Sequence, residues 1–224
     1  MQTVLIDFDE RVKEIEEYFA FLAQLINNDV ELVNSQDRAE VLGLGDGLTK
    51  TLKANGFLLL YNLVESSMRN AIEAIFSELR TQQVSFDDVS IGLRKIILQN
   101  LRNSSVANTH ERINNIALDI IHIGFNSEDL FSGNIDSRKI TDLARQYGFS
   151  YDTDYEKTQH GKNLLTIKRN RNDLAHGNKS FGEVGREVNI RELMEYKDET
   201  VEYIREILSN IEKYLGQKQY LEVR

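Results

Sequence analysis

An all-helical fold is what this sequence predicts, on three observations. Proline is absent, apolar residues recur at intervals of three and four over long stretches, and the sparse glycines gather where turns are wanted. Proline removes a backbone donor and clashes with the preceding turn of a helix. A chain of this size would carry about eleven at ordinary usage, so its absence suits long, uninterrupted helices. Alternating spacings of three and four mark an amphipathic helix face.

The elements follow in order. Val12, Ile15, Phe19, Leu22 and Ile26, with Glu and Lys between them, predict a first helix, with Asp7 or Asp9 as its cap. Leu42 to Gly47 reads as a turn. It has the glycines of a phosphate loop but neither a preceding strand nor the Gly-Lys-Ser/Thr ending, which argues against a nucleotide loop. A long helix from about Leu48 to Arg80 follows. Its apolar middle, Phe57 to Val64, makes it the central helix, with Leu60, Leu63, Val64 and Ile75 in the core. Ser85 to Asp88 reads as the start of a helix carrying Ile91, Ile96, Ile97 and Leu101, and another helix is expected from about Val106 to His122. The stretch from Phe125 to Asp154 is the least regular, but Asp136 or Ser137 should cap a short helix that Tyr147-Gly148 ends. A basic helix over about Lys162 to His176 stops at Gly177. A loop containing Phe181 and Gly185 then leads to a last helix, Ile190 to about Leu215, with Leu193, Thr200, Ile204, Ile207, Ile211 and Leu215 on its apolar stripe.

Composition narrows the function. The chain has 224 residues, ample for a hydrophobic core without staples. It has no cysteine, which excludes disulfides, thiolate catalysis and cysteine-ligated metal clusters and is compatible with a reducing compartment. No apolar run is long enough to span a bilayer, and the acidic N-terminus does not read as a signal peptide, so a cytoplasmic location is expected. The net charge is −9, yet Lys157 to Arg191 holds eight basic residues against three acidic ones, a local net of +5. Such a segment is either a solvated helix face or a site for an anion such as phosphate.

Most catalytic motifs are missing. The four histidines form no HExxH or close pair, so no metal or cofactor is expected. Ser66, Ser67, Ser104 and Ser105 lie in no nucleophile elbow. What remains is Arg169-Asn170-Arg171-Asn172-Asp173-Leu174-Ala175-His176-Gly177. At about 100° per residue, Asn172 and His176 share a helix face, and the long Arg171 side chain can curl toward it. A guanidinium forks onto phosphate oxygens, an imidazole exchanges protons near neutral pH, and an amide orients either. The set suits metal-independent RNA cleavage, in which the substrate's own 2′-hydroxyl is the nucleophile. Alternatively, Arg171 pairs with a nearby acid and His176 merely caps its helix.

Arg171 to Gly177 resembles the signature of the HEPN (higher eukaryotes and prokaryotes nucleotide-binding) superfamily: an arginine, a polar residue that is often asparagine, three variable positions and a histidine. Phe57 to Glu65 with Arg69-Asn70, Ser132 to Asp136, Ala144 to Phe149, and Ser180-Phe181 with Gly185-Arg186 are similar to one prokaryotic group of HEPN-like nucleases, so the resemblance runs from about residue 50 onward. It implies one helical domain over 1–224, with a core of about 50–215 and an N-terminal helix and turn over 1–47. It implies a bundle of long antiparallel helices that dimerises, with the two signatures meeting in one composite cleft. It further implies a ribonuclease, acting as a toxin or in phage defence, with Arg171 and His176 catalytic and Asn172 supporting them. The alternative is a non-catalytic HEPN module that binds nucleotide, RNA or a partner protein. Expected partners are RNA, a second copy of the chain, and an antitoxin or nucleotidyltransferase. Lys168, Arg169, Lys179 and Arg186 are candidates for phosphate contacts. Glu65, Arg69 and Asn70 are candidates for supporting the site, with helix packing or ion pairing as their alternative role.

Overall fold

The computed structural model describes residues 1–27, 32–33, 41–42, 45–103, 131 and 133–222. Eight α-helices lie among them: α1 (Gln2–Asn27), α2 (Asp46–Thr81), α3 (Ile91–Asn103), α4 (Ser137–Tyr147), α5 (Tyr155–Thr158), α6 (Leu164–Ala175), α7 (Phe181–Arg186) and α8 (Ile190–Gly216). Two two-residue strands, Leu32–Val33 and Val41–Leu42, pair antiparallel between α1 and α2. The expected helix over 106–122, with His110 and His122, lies outside the described residues. Among the described residues no helix is long and apolar enough to cross a membrane.

The 36-residue α2 is the axis of the molecule, and α1, α6, α7 and α8 pack on it. Its buried face runs from Ala54 to Leu79 and includes Leu60, Leu63, Val64 and Ile75. Val12, Ile15, Phe19 and Leu22 of α1 are buried in the same core, as are Leu193, Ile204, Ile207, Ile211 and Leu215 of α8, and Thr200 of α8 is buried as well. Each is the apolar stripe its spacing predicts. Polar links fix how these helices lie against one another. The Tyr18 hydroxyl donates to the Leu52 carbonyl at 2.6 Å, and Arg205 reaches Asp9 at 2.7 Å with its guanidinium over the Phe8 ring.

Several boundaries differ from the sequence reading. Helix α1 begins at Gln2, so Asp7 and Asp9 are inside it and cap nothing. Asp7 instead binds Arg11 at 2.9 Å and Asn70 at 3.0 Å, tying α1 to α2. Part of the expected turn is regular structure: Val41–Leu42 is a strand, Gly45 precedes α2, and Asp46 and Gly47 are in its first turn. On α3 the buried residues are Leu93 and Ile97, whereas Ile91 is exposed. The expected loop through Phe181 and Gly185 is helix α7. Ser180 accepts from the Glu183 amide while the Glu183 carboxylate accepts from the Ser180 amide, a capping box that sustains so short a helix. The caps of α4 fall where expected, with Asp136 accepting from the Lys139 amide and Gly148 in the left-handed region.

Candidate active site

Helix α6 carries the basic segment, and its burial pattern explains its chemistry. Leu164, Ile167 and Leu174 are buried. Intervals of three and four place Arg171 between Ile167 and Leu174 on that same inward stripe. A guanidinium therefore occupies a position where periodicity calls for an aliphatic side chain, and Arg171 is half-buried. Asn172 and His176, one turn apart, lie on an adjoining face, and His176 is exposed at the helix end.

The end itself is a Schellman turn. The Asn178 amide donates to the Asp173 carbonyl at 2.8 Å and the Gly177 amide to the Leu174 carbonyl at 3.3 Å. Gly177 adopts φ +69°, a conformation that glycine reaches without the steric cost of a Cβ. The chain thus leaves the helix immediately after His176, with the imidazole at the negative end of the helix dipole.

Arg171 is held from three sides. Its Cζ stands 4.4 Å over the centre of the Tyr61 ring. Its Nη1 donates to the Asn172 Oδ1 at 3.0 Å. On the third side passes the backbone of Gly133, at φ +72°, where a Cβ would come within 2.8 Å of Nη1. Tyr61 is fixed in turn, its hydroxyl accepting from the Ile135 amide at 3.3 Å. Burial, with the Glu65 carboxylate nearby, pushes the Tyr61 hydroxyl up to about 12, so it stays protonated. Among the described residues no carboxylate forms an ion pair with Arg171.

The other candidates divide. Lys168 is committed to the buried carboxylate of Asp136 and is not a free phosphate contact. Burial alone would raise the Asp136 carboxyl, but the Lys168 ammonium and the Lys139 amide hold it below its ordinary value. Lys179 pairs with Glu187 at 2.7 Å on the surface, a contact weak enough to yield to phosphate. Arg169 and Arg186 are exposed. Glu65 and Arg69 form an ion pair at 2.8 Å on α2, and Glu65 also neighbours the Tyr61 hydroxyl. Asn70 donates to Asp7 at 3.0 Å, a link between α2 and α1.

The residues that hold Arg171 escaped the sequence reading as site residues. Tyr61 is 110 positions away, and nothing local to Gly133 marks it as the wall of a guanidinium slot. Two signals were available: the resemblance over Phe57 to Glu65 and Ser132 to Asp136, which holds both residues without giving them a role, and the arginine itself, sitting on an apolar stripe and so requiring a platform.

Helices packed on a buried central helix define an all-helical domain, and within α6 the hydrogen bond at 3.0 Å joins Arg171 to Asn172 while His176 stands exposed at the helix end. The HEPN_MAE_28990-like HEPN family matches residues 1–220, and the chain belongs to that family. The match begins in α1, well before the point near residue 50 where the resemblance was legible. HEPN domains are frequently ribonucleases. Neither the curated proteins nor the solved structures gave a match.

Proposed function

We propose that this HEPN protein is a metal-independent endoribonuclease that works as a homodimer, serving as a toxin or a phage-defence effector. The observation that carries the reading is the state of Arg171: ordered by Tyr61, Gly133 and Asn172, yet paired with no carboxylate among the described residues. A buried structural arginine is expected to be neutralised, since an uncompensated charge is costly away from water. An arginine fixed in place with its charge unspent suits a ligand that brings its own negative charge.

The chemistry then needs little else. The 2′-hydroxyl loses its proton to an imidazole and attacks the adjacent phosphorus. Arg171 stabilises the charge that builds on the non-bridging oxygens. The 5′-oxygen leaves with a proton, and the products are a 2′,3′-cyclic phosphate and a free 5′-hydroxyl. One imidazole can serve a single proton transfer at a time. Two copies meeting at their α6 ends supply the pair, with His176 as base and the partner subunit's His176 as acid. Facing basic segments also focus positive potential in the cleft of an otherwise anionic particle. A neighbouring antitoxin or nucleotidyltransferase would restrain such an enzyme.

The test is cleavage of RNA in excess EDTA with the product ends identified. The expected outcome is a 2′,3′-cyclic phosphate or its hydrolysis product, no cleavage of DNA, and strongly reduced cleavage by Arg171→Ala or His176→Ala. Cleavage only with added magnesium overturns the reading. RNA binding without cleavage favours a non-catalytic module that grips the same phosphate.

A further inference from the structure

We propose that Tyr61 and the Gly133–Asp136 strap form a positioning device for Arg171, fixing its guanidinium in the phosphate-binding rotamer before RNA arrives. The proposal rests on the ribonuclease reading for its purpose, but its geometry stands apart from it. The strap touches three places in four residues. Gly133 closes over the Arg171 Nη1, the Ile135 amide donates to the Tyr61 hydroxyl, and Asp136 takes the Lys168 ammonium while capping α4. Tyr61 therefore works at both ends: its ring lies under the guanidinium, and its hydroxyl accepts from the strap whose Gly133 lies beside Nη1.

This arrangement addresses a specific difficulty. Arginine has several rotatable bonds, and freezing them when ligand binds weakens binding on the order of three- to tenfold. A carboxylate could freeze them beforehand, but it would also neutralise the charge. An aromatic face and an amide oxygen orient the guanidinium with no formal negative charge. The protonated Tyr61 hydroxyl keeps the ring neutral, and Asn172 is an amide, not an acid. The φ of +72° at Gly133 is strained for other residues, and a Cβ there, 2.8 Å from Nη1, would push the guanidinium aside.

The experiment measures Arg171 itself and RNA affinity, both in a His176→Ala background so that substrate survives. By NMR the Arg171 δ and ε protons should be shifted upfield by the Tyr61 ring. That shift should vanish in Tyr61→Leu and largely persist in Tyr61→Phe. Affinity for a short single-stranded oligoribonucleotide at low salt should fall on the order of three- to tenfold in Tyr61→Leu. In an Arg171→Ala background the same substitution should cost nothing further. Gly133→Ala, which leaves the core side chains intact, should displace the same protons and weaken binding in the same direction, covering the case in which Tyr61→Leu fails to fold. Arg171 protons without a ring-current shift, or Tyr61 and Arg171 losses that simply add, overturn the proposal. A wild-type protein that shows the shift and the non-additivity yet never cleaves RNA overturns the ribonuclease reading alone.

Discussion

Two cations one turn apart on α6 meet opposite fates. Lys168 and Arg171 both face the strap between Gly133 and Asp136, and both are part-buried. Lys168 ends on a carboxylate that also caps a helix. Arg171 ends on a ring, an amide oxygen and a glycine backbone. The same strap thus cancels one charge and preserves the other. The first arrangement is what a fold needs, since a buried charge left alone costs several kcal/mol. The second leaves the guanidinium ordered but without a carboxylate among the described residues. Substitutions at the two positions should separate accordingly, with stability lost at one and activity at the other.

The largest effect is expected from Arg171→Ala, which should lower cleavage by about 10² to 10³-fold or more, the range seen when a charge-stabilising donor is removed. Its stability should change by only about 1 kcal/mol, the worth of a cation–π contact. Chemical denaturation alongside the cleavage assay measures both. A large loss of stability would erase the contrast with Lys168.

Lys168→Met should do the reverse, costing about 2–3 kcal/mol by stranding the Asp136 carboxylate. Adding Asp136→Asn, which retains a capping oxygen, should recover most of that loss. Failure to recover would mean that the pair holds the strap by shape and not by charge. The pH dependence of unfolding sharpens the same point. The Asp136 carboxyl titrates lower in the folded protein than in the unfolded chain. Its stabilisation is therefore complete above about pH 4 and is lost as pH falls through the folded value. Wild-type stability should decline more steeply in acid than that of the Asp136→Asn protein.

The smallest effect concerns the helix end that presents His176. Gly177→Ala should cost about 1 kcal/mol by thermal unfolding, because alanine is strained in the left-handed region. Cleavage should fall out of proportion to that figure if the turn sets the imidazole's place.

What the sequence disclosed follows the same division. Stripes such as Phe19–Leu22 or Ile204–Ile207–Ile211 are repeated signals, each residue reinforcing the next, and they gave the helices and the core. Asp136 and Gly148 are local signals read from residue type and position. Helix α7 was missed because six residues with two glycines carry no periodicity, although Ser180 and Glu183 offered the capping-box spacing. Asp7 misled because an acid near the start of a helical pattern resembles a cap, whereas this one serves a helix 63 residues away. Arg171, Asn172 and His176 could be picked out as candidates because they are neighbours in sequence. Tyr61 and Gly133 belong to distant segments, and only the fold brings them against Arg171.

The contact between Gly185 and α2 has a consequence for the whole assembly. A Cβ on Gly185 would fall 1.9 Å from the Lys50 carbonyl oxygen, so here main chain rests directly on main chain. Tyr61, eleven residues further along the same helix, carries Arg171. At about 1.5 Å per residue, α2 acts as a ruler with two marks roughly 16 Å apart. One mark gauges the guanidinium and the other gauges the chain just beyond the imidazole. Inserting a single residue between Lys50 and Tyr61 would turn one mark by about 100° against the other, and no side-chain adjustment could bring both back into register.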